Sequence, residues 1–154
     1  VVGYDPAISV EAAWRLSSRV EKMSSLDALL KESDYITLHV PAIDVTKGMI
    51  NSESMSRMKP GVKLLNFSRK EIVNASDLIA ALDIGKIGSY VTDFPTPELI
   101  GHPKVLAMPH IGASTGEAED NCAVMAADQL INFLENGNIK NSVNFPDTSM
   151  ARGS

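Results

Sequence analysis

The residues best suited to chemistry are an arginine and a histidine, each set just after a short apolar run. Arg69 closes Asn66-Phe-Ser-Arg69, and His110 lies in Met108-Pro-His-Ile-Gly-Ala-Ser-Thr115. A guanidinium presents a planar fork that matches a carboxylate through two hydrogen bonds, whereas a lysine offers only a point charge. An imidazole is the side chain whose ordinary titration lies near neutrality, and it moves protons accordingly. Together they suit a site that grips a carboxylate and transfers a proton beside it. Each also has a plainer reading: Arg69 as a surface ion pair with Glu71, His110 as a capping or core histidine.

Further polar residues stand at comparable places: Asp5 in Gly3-Tyr-Asp-Pro6, His39 in His39-Val40-Pro41, and Thr92-Asp93. In open α/β sheets, ligands bind beyond the carboxyl ends of the strands. Five strand ends that each deliver a polar group at one edge favour a site over coincidence. Asp5 could accept both hydroxyls of an adenosine ribose and repel a 2′-phosphate, selecting NAD over NADP, or could simply form an Asp-Pro turn. His39 reads as structural and His102 as a solvated loop residue. With one cysteine and three scattered histidines, no metal site is expected. No Gly-x-Gly-x-x-Gly loop occurs.

These groups need strands and helices to hold them. Tyr35–Val40, Val62–Phe67 and Val105–Met108 are short, rich in branched residues and bounded by Pro41, Pro60-Gly61, Pro103 and Pro109. They predict parallel strands buried on both faces. Ile87–Val91 and Val1–Tyr4 are weaker strands. Helices are predicted over Ser25–Leu30, Ser52–Met58, Ser76–Leu82 with Gly85 as its left-handed end, and Glu117–Leu134 closed by Asn136-Gly137. The last carries Ala118, Cys122, Met125, Ala126, Leu130, Phe133 and Leu134 on one face. The alternation predicts an α/β fold with a doubly wound parallel sheet.

Bulk properties set outer limits. At 154 residues, 44% hydrophobic and a formal charge of −5, the chain is about one domain long and lacks the basic surface expected of a nucleic-acid or membrane-surface binder. A lone cysteine suits a reducing compartment, and a cytoplasmic location is expected. No apolar run approaches a membrane span. Val1-Val-Gly-Tyr-Asp5 reads as the middle of a fold, and residues 147–154 as a fraying, disordered tail.

The sequence resembles the NAD-dependent D-2-hydroxyacid dehydrogenases. The resemblance runs through Gly3-Tyr-Asp-Pro6, His39-Val-Pro41, Thr46-Lys-Gly-Met-Ile-Asn51, Met58-Lys-Pro-Gly61, Asn66-Phe-Ser-Arg69, Pro109-His-Ile-Gly-Ala-Ser-Thr115 and Asn138-Ile-Lys-Asn-Ser-Val-Asn-Phe-Pro146. It implies a Rossmann-type NAD-binding domain over residues 1–146, with the first strand, glycine loop and first helix upstream of Val1. The last segment would return toward a substrate domain not contained in the chain. By matching position, Asp5 would hold the adenosine ribose, and His39, Val40 and Pro41 would lie on the adenine side. Asn66, Phe67 and Ser68 would contact the cofactor backbone, Asp93 would lie near the nicotinamide, and Gly112 and Ala113 would pack beside the cofactor. Arg69 would bind the substrate carboxylate. His110 would take the hydroxyl proton as hydride leaves for the nicotinamide.

The implied reaction is oxidation of a D-2-hydroxy acid: 3-phosphoglycerate in L-serine biosynthesis, or another such as glycerate or lactate. A dinucleotide-sensing, corepressor-like interaction protein is the alternative from another class. The resemblance also implies a homodimer built on the Ser52–Met58 region and the long helices, with Met49, Met55 and Met58 at its surface. The chain departs from the family around the active site. Ser68, Lys70 and Glu71 replace small residues beside the arginine. The family's Asp-Val-Phe appears as Thr92-Asp-Phe94. The glutamate that usually holds the histidine falls at Pro97, which leaves Glu98, one step later, as a possible stand-in.

Overall fold

A computed structural model describes residues 1–150. The last four residues of the expected tail lie outside the described residues. The chain forms two compact units, Val1–His110 and Ile111–Ser154.

The first unit is built on parallel strands. β1 (Val2–Gly3) and β2 (Glu21–Lys22) form a two-stranded sheet, joined by the short helix α1 (Val10–Trp14). β3 (Tyr35–Leu38), β4 (Val62–Asn66), β5 (Ile87–Thr92) and β6 (Val105–Ala107) form a second sheet in that order, with β3 and β6 at its edges. Parallel neighbours cannot be joined by a tight hairpin. The crossovers here carry α3 (Ser52–Arg57) between β3 and β4 and α4 (Ala75–Asp83) between β4 and β5, while α2 (Leu26–Glu32) leads into β3. The α/β architecture with a parallel sheet is the one the sequence predicts.

Local chemistry explains the helix ends. The Ser25 hydroxyl accepts from Ala28 N at 3.1 Å and caps α2. Asn51, one residue earlier than the predicted Ser52 start, caps α3. Its Oδ1 accepts from Ser54 N while the Ser54 hydroxyl accepts from Asn51 N, a reciprocal box that satisfies two orphan donors. Gly85, at φ +78°, takes the predicted left-handed turn after α4.

Packing departs from expectation in four ways. The strands of the larger sheet alternate rather than burying both faces: Ile36 and Leu38 are buried, while Tyr35 and Thr37 are exposed. The buried face joins Leu30 of α2, Met55 of α3 and Leu78 and Leu82 of α4 in one core with Leu64 and Tyr90. Met55 and Met58 are 1% and 2% exposed, so these methionines fill the core and offer no dimer surface; Met49 packs partly buried against them. Third, β1 bonds only to β2, so Asp5 does not stand on the edge of the four-stranded sheet. Finally, His102 is no solvated loop residue. Its ring accepts from Lys104 N at 3.2 Å and meets Asp83 at 3.3 Å, clasping the end of α4.

The second unit is dominated by α5 (Gly116–Asn136), capped by the Thr115 hydroxyl and closed by Gly137 in the left-handed region. Its predicted apolar face carries Met125, Leu130, Phe133 and Leu134, all exposed. Beyond it, Ile139 and Thr148 form an antiparallel bridge, and Met150 N donates to Asn138 Oδ1 at 2.9 Å. Among the described residues no helix is long and apolar enough to cross a membrane, and no group of His, Cys, Asp and Glu could hold a metal ion. Cys122 is free and exposed.

Candidate active site

The register of the larger sheet sets the site. Leu38 pairs with Asn66, Asn66 with Thr92, and Thr92 with Ala107, so the four strands end in one row. The residues just past that row are His39, Phe67, Asp93 and Met108. Four predicted strand ends therefore do share an edge, without Asp5.

Asn66 fixes the turn after β4. It is wholly buried, its Nδ2 donates to Arg69 O at 2.9 Å and to the Tyr90 hydroxyl at 3.2 Å, and its Oδ1 accepts from Ser68 N and from the Ser68 hydroxyl. A buried amide with its hydrogen bonds made holds one backbone path. That path brings Arg69 to the surface at the edge. Arg69 Nη1 donates to Ser68 O at 2.7 Å, and among the described residues the guanidinium forms no ion pair, with Glu71 or any other carboxylate. It lies 5.5 Å over the Phe94 ring.

Asp93 and His110 meet across β5 and β6. Thr92, the last residue of β5, points inward at 0% exposure, and its hydroxyl accepts from Phe94 N at 3.0 Å. Successive strand residues alternate in direction, so Asp93 turns the other way. Met108 N donates to Thr92 O at 2.9 Å, extending the β5–β6 pairing one step before Pro109, which has no N–H to give. His110 then arrives beside Asp93, its Nδ1 2.7 Å from Asp93 Oδ2, and its ring centroid is 4.1 Å from that of Phe94. The His110 side chain is 50% exposed and Asp93 16%. Arg69 and His110 thus pack on a single phenylalanine. Sequence reasoning missed this role of Phe94 and the Asp93–His110 pairing; the one signal for the latter was that both residues follow strands predicted to share one sheet.

Among the described residues Glu98 makes no hydrogen bond to His110. Pro97 opens a single 3-10 turn, Pro97–Leu99, in which Leu99 is buried and Glu98 faces solvent. The carboxylate on His110 is Asp93.

The remaining sequence candidates are more dispersed. His39 is exposed just past β3, its Nε2 2.8 Å from the Thr37 hydroxyl, so its ring engages a side chain of its own strand. Val40 packs on the core, and Pro41 O accepts from the Thr46 hydroxyl. Phe67 and Ser68 are half-buried in the Asn66 turn. Asp5 Oδ1 accepts from Ala7 N at 2.9 Å, which is the Asp-Pro turn, while its other oxygen has no partner among the described residues. Gly112 and Ala113 fall in the second unit.

The donors and acceptors fit a nicotinamide dinucleotide. Asp93 Oδ1 is buried with no hydrogen-bond partner, an orphan that an amide N–H such as a nicotinamide carboxamide would satisfy. Asp5 retains a free carboxylate oxygen for a ribose hydroxyl.

Comparison with known proteins agrees. D-3-phosphoglycerate dehydrogenase of Escherichia coli is 37% identical over 140 residues, 84% of this chain and 34% of its own length. That of Synechocystis is 35% identical over 152 residues, 95% of this chain and 27% of its own length. The chain therefore spans about a third or less of these relatives. Among solved structures, D-mandelate dehydrogenase of Rhodotorula graminis superposes with a TM-score of 0.78 at 26% identity, covering 96% of this chain and 44% of that one. Residues 1–112 match the D-isomer specific 2-hydroxyacid dehydrogenase, NAD binding domain, and the chain belongs to that family.

Proposed function

We propose that the protein containing this chain oxidises a D-2-hydroxy acid with NAD, and that its substrate is 3-phosphoglycerate, converted to 3-phosphohydroxypyruvate. The observation that carries the reaction class is the edge cluster: an unpaired guanidinium and a carboxylate-held imidazole packed on one phenylalanine ring. Arg69 would take the substrate carboxylate through its planar fork and fix the carbinol carbon beside the histidine. His110, whose Nδ1 is engaged by Asp93, would accept the hydroxyl proton on Nε2, leaving a carbonyl next to the carboxylate. A bound nicotinamide supplies the acceptor for the hydrogen and electron pair that leave the carbinol carbon. Phosphoglycerate is favoured because relatives bearing that name align over most of the chain. The likeness to D-mandelate dehydrogenase supports a second reading, an unphosphorylated 2-hydroxy acid on the same edge.

The test is steady-state kinetics with 3-phosphohydroxypyruvate and NADH, against pyruvate and phenylglyoxylate. His110→Asn is expected to lower kcat by roughly 10²–10⁴-fold, the span of one positioned acid–base group. Arg69→Lys is expected to raise KM and lower kcat, since a point charge cannot replace the fork. Near-normal kcat in His110→Asn would remove His110 as the acid–base, whereas no turnover of any of the three keto acids by the unmodified protein would sink the dehydrogenase reading and leave a dinucleotide-sensing interaction protein in its place.

A further inference from the structure

We infer that Asp93 is the positioning residue for His110, in the role that the resembling family gives to a glutamate; the inference rests on reading His110 as the acid–base. The chain has a proline where that glutamate would stand, and the next residue, Glu98, faces solvent. The function passes instead to the carboxylate of the residue that follows β5, four positions before Pro97.

Three observations support this. Asp93 Oδ2 lies 2.7 Å from His110 Nδ1, the short range of charge-assisted hydrogen bonds. Asp93 is the more buried partner, at 16% against 50%, so the carboxylate anchors and the ring is held. The Phe94 ring meets the imidazole at 4.1 Å with a 33° tilt, which limits rotation about the bond to Asp93. An ionised carboxylate can only accept, so the nitrogen facing it carries the proton. The neutral ring is therefore the Nδ1–H tautomer. Its Nε2 has no partner among the described residues, and the lone pair there is the one able to take a proton from a hydroxyl. A shorter aspartate can do this because the β5–β6 register delivers His110 next to it, whereas a glutamate on the following turn would have to reach back.

The first test reads the ring nitrogens directly. Long-range proton–nitrogen NMR on the full chain, at a pH where the ring is neutral, should show His110 as the Nδ1–H tautomer. Asp93→Ala should move it toward the Nε2–H form, and Glu98→Gln should leave its signals in place. An Nε2–H tautomer in the unmodified chain, or one unaffected by Asp93→Ala, overturns the inference; the first of these needs no variant to fold. The second test is kinetic, in the enzyme that contains the chain. Asp93→Ala should lower kcat roughly 10- to 100-fold, part of the contribution of a positioned acid–base, while Asp93→Glu restores some of it. The KM of the hydroxy acid should stay within about twofold, because Arg69 is untouched. A tautomer change with undiminished kcat would support the hold of Asp93 on the ring and overturn the acid–base role of His110, so the two failures are separable.

Discussion

Tyr90 is 1% exposed and its hydroxyl meets Asn66 Nδ2, so the phenol and the amide that shapes the Arg69 turn belong to one buried network. Burial pushes the Tyr90 phenol above its ordinary 10.0; hydrogen bonds with Asn66 and Thr92 pull it back, and the charge of Asp93 adds to the rise. The folded chain therefore keeps this proton to higher pH than the unfolded chain does. Stability from this source is intact below about pH 10 and falls as pH rises beyond it. Urea midpoints measured from about pH 8 to pH 11 should decline more steeply in the unmodified chain than in Tyr90→Phe, which has no proton to lose. At this scale the sequence singled out Arg69 and His110, which the structure packs on one phenylalanine ring, because few residue types do their chemistry and both sit beside strand-ending turns. It did not reveal that Asp93 meets the histidine. That depends on Thr92 facing Ala107 across two strands, and no local pattern encodes a register between segments. For Glu98 the spacing along the chain left both a stand-in and a solvated loop residue open, and the structure has it facing solvent in the Pro97 turn.

Elements were legible where punctuation is chemical. Ser25 and Gly85 mark ends that the structure keeps, and prolines stop the strands near where they were expected. The strands are shorter than their apolar runs because pairing ceases once the backbone turns to build the edge: β3 ends at Leu38 and β4 at Asn66. Helix α1 and strand β2 went unread, being five and two residues long, too short for a period to show. The burial of Met55 and Met58 was missed for a related reason, since a six-residue helix does not reveal which side is covered. One glycine has a sharper role than its sequence position suggests. The β4–β5 pairing steps from Val62↔Ile87 to Lys63↔Ser89, leaving Gly88 as the extra residue of a bulge. A Cβ there would lie 2.5 Å from Gly61 O, a backbone atom that cannot swing aside. Gly88→Ala should lower stability by about 1–3 kcal/mol, the usual cost of forcing atoms into a packed site. Denaturant midpoints check this; an unchanged midpoint would mean that the two strands part without cost.

For the whole molecule, the parallel sheet and family were legible because motif and alternation agree along most of the chain. The division into two units was not, since no proline- or glycine-rich linker marks the step from His110 to Ile111. The 154 residues contain no glycine-rich phosphate loop, and in this fold such a loop presents backbone N–H groups to a pyrophosphate at a helix N-terminus. Calorimetry on the chain by itself should accordingly find NAD binding weak or absent, with no turnover of 3-phosphohydroxypyruvate; tight binding would mean that another part of the chain cradles the phosphates. Strand β3 has a consequence of its own. It bonds to β4 on one side only, so along its other side a row of amides and carbonyls is unclaimed by the sheet. Such a margin is a template for a further strand. In solutions of the chain alone, half of the β3 amides should exchange hydrogen rapidly, and concentrated samples should slow that exchange as a second molecule lays its own backbone along the margin.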